Sequence, residues 1–105
     1  ITDNFYCTCP TANLYIENSL PDYSIFNAEK LCVGTDSLAS NSSLSILDEL
    51  QIIKENSDFD LHTLLKIASK NGADALGFTT LGTFEKGKSP GVNLISGLSK
   101  IEIIA

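Results

Sequence analysis

Apolar and polar positions change rhythm along this chain, and each rhythm predicts an element. Residues 4–9 alternate, with Phe5, Cys7 and Cys9 on one face and Tyr6 and Thr8 on the other. That period of two predicts a short strand, stopped by Pro10, which has no amide hydrogen for a ladder. Residues 11–21 read as a polar loop with apolar anchors, and Pro21 suits the first turn of a short helix reaching about residue 29. The run Leu31-Cys32-Val33 marks a second strand over 30–35, broken by Gly34. Asn41, Ser42 and Ser43 offer caps for a helix over 44–55. Its apolar positions Leu44, Leu47, Leu50 and Ile53 recur at three-residue steps and form one stripe. A further helix over 60–70 carries Leu61, Leu64, Leu65 and Ala68 at i, i+3, i+4 and i+7, and Asn71-Gly72 is a usual helix stop.

After Gly77 the pattern becomes turn-rich. Glycines fall at 77, 82, 87, 91 and 97, with short apolar pieces at 92–95 and 101–105 between and after them. A boundary near residue 78 is expected, with an α/β part over 1–78 and short strands over 79–105. The sequence contains no internal repeat or low-complexity tract.

The acid at position 36 stands out against this frame. A strand, a glycine, Asp36, small polar residues and then a helix place a carboxylate at the C-terminal mouth of a strand. Parallel α/β proteins build their sites there, because the strand holds rigidly what the loop projects into the crevice. On local pattern alone the plainer reading of Asp36 is a cap for the next helix or the closure of an Asx-turn.

Composition narrows the partners. The chain has 105 residues, 43% hydrophobic and 19% charged, which suits one folded domain rather than disorder. Seven basic against thirteen acidic residues give a net charge of −6, and no basic cluster offsets it, so nucleic acid and anionic membranes are not expected partners. No apolar run has transmembrane length, and no signal pattern opens the chain, so a cytoplasmic location is expected. The chain starts at Ile1 and has no methionine, as a processed or excised segment would. Three cysteines without framework spacing do not suggest a disulfide scaffold.

Several residues carry candidate chemistry. Residues 82–89 run Gly-Thr-Phe-Glu-Lys-Gly-Lys-Ser and satisfy the phosphate-loop expression GxxxxGK[ST]. That mechanism needs Ser89 to open a helix whose amides hold phosphate. Pro90 pushes Ser89 out of helical dihedrals, and the apolar piece that follows reads as a strand, so nucleotide binding is not expected. Cys7, Cys9 and Cys32 could form a thiolate metal site, but no fourth ligand is placed and buried strand cysteines fit the pattern better. Cys9 at a strand mouth could line a pocket. His62, the only histidine, lies off the apolar stripe and reads as solvated. With no second histidine the chain cannot complete a catalytic zinc site of three protein ligands, and no serine nucleophile has a relay. Asp48 and Glu49, with Glu55, read as the wet face of a helix.

Four blocks in order carry a resemblance. Cys-Pro-Thr-Ala-Asn-Leu-Tyr at 9–15, Gly-Thr-Asp-Ser-Leu-Ala-Ser-Asn at 34–41, Leu-Lys-Ile-Ala-Ser-Lys-Asn-Gly-Ala-Asp-Ala-Leu-Gly at 65–77 and the stretch 82–95 together resemble the end of the metal-dependent amidohydrolase superfamily. The similarity is to its cytosine deaminase-like branch, with the adenosine-type and aminofutalosine deaminases and chlorohydrolases. The resemblance implies an α/β fold, the last two βα units of a (β/α)₈ barrel, followed by return strands of a small β-sandwich in place of the phosphate loop. It makes 4–9 the seventh strand and 30–35 the eighth. It implies that Asp36 binds a divalent metal, zinc in this reading, and handles protons during hydrolysis of a C–N bond. It implies that Ser40 contacts substrate.

The chain also departs from that family. The HxH pair and later histidines are absent, and Thr8 stands before Cys9 where many relatives carry histidine. The resemblance therefore implies a C-terminal piece of a deaminase-like hydrolase, inactive alone. The parent would act on an amino-substituted N-heterocycle or nucleoside as its small-molecule substrate. The alternative is an α/β binding or scaffolding module without chemistry. A barrel piece would also expose strand edges and apolar faces, so self-association is expected.

Overall fold

Two short strands organise the chain, and a computed structural model describes residues 4–104. Strand β1 (Tyr6–Thr8) lies parallel to β2 (Leu31–Val33), with Tyr6 opposite Leu31, Cys7 opposite Cys32 and Thr8 opposite Val33. Parallel strands need a crossover, which helix α1 (Pro10–Glu17) and a single 3-10 turn (Tyr23–Ile25) supply. Helices α2 (Ile46–Glu55), α3 (Leu61–Ala68) and α4 (Lys70–Leu76) follow, and β3 (Asn93–Ser96) and β4 (Lys100–Ile103) form an antiparallel hairpin.

The crossover departs from the expected loop and helix. Pro10 stops β1 but also opens α1, because its missing N–H is no loss in a first helical turn. The helix buries only Pro10 and Ala12, so it leaves no apolar stripe in the sequence, and it ends at Asn18 in the left-handed region, φ 53°. The helix expected from Pro21 shrinks to the 3-10 turn. Beyond it Asn27 accepts the Glu29 N–H on its side chain and the Lys30 N–H on its carbonyl, and this turn directs the chain into β2.

Helix α2 keeps Leu47, Leu50 and Ile53 buried, while Leu44 stays exposed before the helix begins. The cap is Ser45, whose Oγ accepts the Asp48 N–H at 3.3 Å, rather than Asn41, Ser42 or Ser43. In α3 the buried positions are Leu64 and Ile67, with Leu61 exposed. Asn71-Gly72 does not end a helix. It lies inside α4, which stops at Gly77 with φ 74°. Tertiary bonding overrides the local preference here: fully buried Asn71 donates through Nδ2 to Ala28 O at 2.7 Å and Leu31 O at 2.8 Å, tying α4 to β2.

Tyr23, Leu31, Leu47, Leu50, Ile53, Leu64, Ile67 and Leu98 form one buried cluster, with Tyr6 and Val33 packed against it. Side chains alternate across a strand, so Tyr6, Thr8, Leu31 and Val33 face this layer while Cys7 and Cys32 face the other way. Leu98, in the turn between β3 and β4, reaches the cluster, but the hairpin strands themselves are exposed on both faces. Ala105, the end of the expected last apolar piece, lies outside the described residues. Among the described residues no helix is long and apolar enough to cross a membrane.

The N-cap of α3 supplies a pH prediction. Asp60 Oδ1 accepts the Thr63 N–H at 2.8 Å. Hydrogen bonds from the Thr63 side chain and amide hold the Asp60 carboxyl below its ordinary value of 3.8. A depressed folded pKa stabilises in full above the unfolded value and loses that contribution as pH falls through the folded value. Urea midpoints of wild type and Asp60→Ala should therefore differ at neutral pH and converge below pH 3.8. A gap that stays constant into acid would show that the cap charge is not involved.

Candidate functional site

The loops after β1 and β2 meet at the C-terminal ends of the strands. Gly34 continues the ladder through its N–H, which donates to Thr8 O at 2.9 Å. Two residues on, Asp36 takes φ +56°, a left-handed conformation that a short polar side chain tolerates better than most. Asp36 caps no helix, since Ser45 does that for α2. Its carboxylate is exposed, and buried Ser40 donates through Oγ to Asp36 Oδ2 at 2.9 Å. No described residue hydrogen-bonds Oδ1. The structure thus brings the two expected site residues together, with Ser40 holding one oxygen of the acid.

A second carboxylate braces this loop. Glu49 was expected on the wet face of its helix, but it is fully buried. It accepts from Thr11 N at 3.1 Å, from Thr11 Oγ1 at 2.8 Å and from Asn41 Nδ2 at 2.8 Å. Asn41 Nδ2 also donates to Thr35 O at 2.9 Å, next to Asp36. One acid on α2 therefore ties the start of α1 to the loop that carries Asp36. Buried acids persist where several donors satisfy them, and that satisfaction is why Glu49 can lie inward. Asp48 and Glu55 do stay exposed.

Thiols and a phenol surround the strand ends. Thr8 Oγ1 and Tyr23 Oη lie 3.0 Å apart in the core, and burial raises the Tyr23 pKa. Burial also raises the Cys9 and Cys7 thiols. His62 is exposed on α3 and takes no part. Among the described residues no group of three His, Cys, Asp or Glu could hold a metal ion. Asp36 can offer one oxygen ligand, and the described residues do not complete a coordination shell around it. A cleft lined by Asp22, Tyr23, Ser24, Glu55, Asn56 and Asp58 includes neither Asp36 nor Ser40. The phosphate-loop match at 82–89 opens no helix, as the sequence reading expected: Ser89 bonds its N–H to Thr80 O at 2.8 Å and leads towards β3.

Comparison with known proteins defines the class. The model of the amidohydrolase family matches residues 1–104, and the chain belongs to that family. Among individual relatives, it is 36% identical over 66 residues to the 5-methylthioadenosine/S-adenosylhomocysteine deaminase of Halalkalibacterium halodurans, covering 55% of this chain and 15% of that protein. It is 32% identical over 103 residues to the aminodeoxyfutalosine deaminase of a Nitratiruptor species, covering 90% of this chain and 25% of that protein. With the 5-methylthioadenosine/S-adenosylhomocysteine deaminase of Caldicellulosiruptor saccharolyticus it shares 35% identity over 98 residues, 82% of this chain and 22% of the relative. The chain thus spans about a quarter or less of these relatives' lengths. No solved structure gives a significant match. The resemblance read from the four sequence blocks is borne out at the level of an amidohydrolase with deaminase relatives, and the chain's fold is α/β.

Proposed function

We propose that this chain is the C-terminal part of a metal-dependent hydrolase that removes an amino group from a nitrogen heterocycle or nucleoside-like substrate. The observation that carries the reading is Asp36, an exposed carboxylate at a strand mouth with one oxygen held by buried Ser40. The family generally uses a divalent metal. When bound, that metal supplies an activated water, and zinc is the proposed ion. Asp36 is proposed as one ligand, with its carboxylate accepting a proton from the attacking water and returning it to the departing amine. Ser40 orients Asp36 in this scheme and is also proposed to contact the substrate.

In the same reading β1 and β2 are the last two strands of a (β/α)₈ barrel in a cytoplasmic protein. The β3–β4 hairpin then belongs to a small β-sandwich whose strands start the second unit, 79–105. The parallel pairing and the site at the C-terminal strand ends support it. The missing ligands lie outside this chain, so the 105 residues alone hold no catalytic metal and turn over no substrate.

Ammonia release from 5-methylthioadenosine, S-adenosylhomocysteine and aminodeoxyfutalosine tests the proposal. The assay is run on this chain and on the longest polypeptide its gene encodes. Turnover of at least one compound by the long form alone is expected. Turnover by the 105-residue chain overturns the division of the site, and inertness of a long form that does carry the histidines favours the scaffolding alternative. Self-association is proposed as well. Leu94, Ile101, Ile103 and Ile104 are exposed on the hairpin, and a two-stranded sheet leaves both edges open. Sedimentation at micromolar concentration should give species heavier than a monomer, and a single monomeric species contradicts this.

A further inference from the structure

On the face of β1–β2 opposite the core cluster, Cys7 and, just past the strand end, Cys9 lie to one side. Both sulfurs converge on Gly34. A Cβ built there would lie 3.4 Å from Cys7 Sγ and 3.3 Å from Cys9 Sγ, so both sulfurs border the same point above the glycine. That point lies beside the loop that leads to Asp36. Both are free, and Cys7 is exposed to solvent. Cys32, the register partner of Cys7, is free but buried.

We infer that Cys7 and Cys9 form a two-thiolate seat for a soft, thiophilic centre of the trivalent-arsenic or d¹⁰-cation class. Thiolate ligands select such centres over hard cations. An atom bound at roughly 2.3 Å from each sulfur needs sulfurs no more than about 4.6 Å apart, and rotation about χ1 brings together two sulfurs that already border one point beside Gly34. A disulfide is the competing fate. Strand residues two apart have Cα atoms separated by about 6.6 Å, near the upper limit of disulfide geometry. The pair is therefore suited to gripping a third atom rather than to joining directly. An occupant would sit beside Gly34, at the start of the loop that carries Asp36.

Phenylarsine oxide is the probe, and the balance is simple. Two As–S bonds form, the As–O bonds break, and oxygen leaves as water with the two thiol protons; arsenic stays trivalent and no electron moves. The reduced full chain, mixed with the reagent and excess monothiol, should give a one-to-one adduct by intact mass, reversed by a dithiol. Alkylation after unfolding should then label Cys32 alone, a readout that needs no variant. Cys32→Ser should keep the adduct. Cys7→Ser and Cys9→Ser should each weaken it by about 10²-fold or more, the advantage of two-point attachment. Gly34→Ala keeps every sulfur but presses on Cys9 Sγ, and should also weaken it. Protection of Cys32, survival of the adduct in Cys7→Ser or Cys9→Ser, or no adduct in monothiol excess would each overturn the assignment. None of these outcomes bears on deamination.

Discussion

Glu49→Ala is expected to remove a large part of the chain's stability, although the residue lies on no predicted core stripe. The side chain is fully buried and receives bonds from Thr11 N, Thr11 Oγ1 and Asn41 Nδ2. Bonds to a charged acceptor contribute about 1.5–3 kcal/mol each, and stranded donors add their own desolvation cost. Asn41 and the Thr11 hydroxyl can recover part of this from Thr35 O and from water, so a net loss of about 3–5 kcal/mol is expected. Small domains hold only about 5–15 kcal/mol in total. Glu49→Gln is the milder control. Its amide accepts on one side but presents an N–H to a donor on the other, so a loss of about 1–2 kcal/mol is expected. Urea midpoints at constant m-value measure both. If Glu49→Ala falls within about 0.5 kcal/mol of wild type, the range of ordinary surface substitutions, the acid does not brace the two loops.

Glu49 also shows why part of the site was hidden in the sequence. A carboxylate between apolar residues of a helix reads as solvated, because burial of charge is costly. Yet Ile46, Glu49, Leu50 and Ile53 stand at i, i+3, i+4 and i+7, so the spacing alone put Glu49 on the inward face. Residue type concealed what position disclosed. Its partners Thr11 and Asn41 lie 38 and 8 residues away in sequence, and no local pattern joins them. Asp36 was legible for the opposite reason, since strand, glycine, acid and helix are contiguous. Ser40 acquired meaning only through the resemblance, and the structure adds that its hydroxyl is spent on Asp36.

The elements divide in the same way. The two strands, α2 and α3 follow from apolar periods that burial enforces, with Leu31, Leu50, Ile53 and Leu64 all deeply buried. Helix α1 was read as a loop because Leu14, Tyr15 and Ile16 stay exposed and leave no stripe. Asn71-Gly72 looked like a stop because propensity is local, whereas the bonds from Asn71 to Ala28 and Leu31 reach across the fold.

Asp36→Asn, placed in the long form that turns over substrate, is expected to reduce turnover by about 10²–10⁴-fold, the range of positioned general acid–base catalysis. The substitution separates the two readings of the residue. Asparagine tolerates the left-handed region at least as well as aspartate, so φ +56° imposes no new strain. Its amide oxygen can still accept the Ser40 hydroxyl that now holds Oδ2. What it lacks is a second anionic oxygen able to take up and release a proton. If Asp36 were only a turn-former, Asn would preserve both stability and turnover. If it is the proposed shuttle, the urea midpoint should hold while turnover collapses. Ser40→Ala then completes the logic. Freeing Oδ2 should lower turnover less than Asp36→Asn does, and Ser40→Thr should restore part of it. Near-native turnover in Asp36→Asn would remove the residue from the chemistry altogether, because no change in folding could be offered to mask the loss.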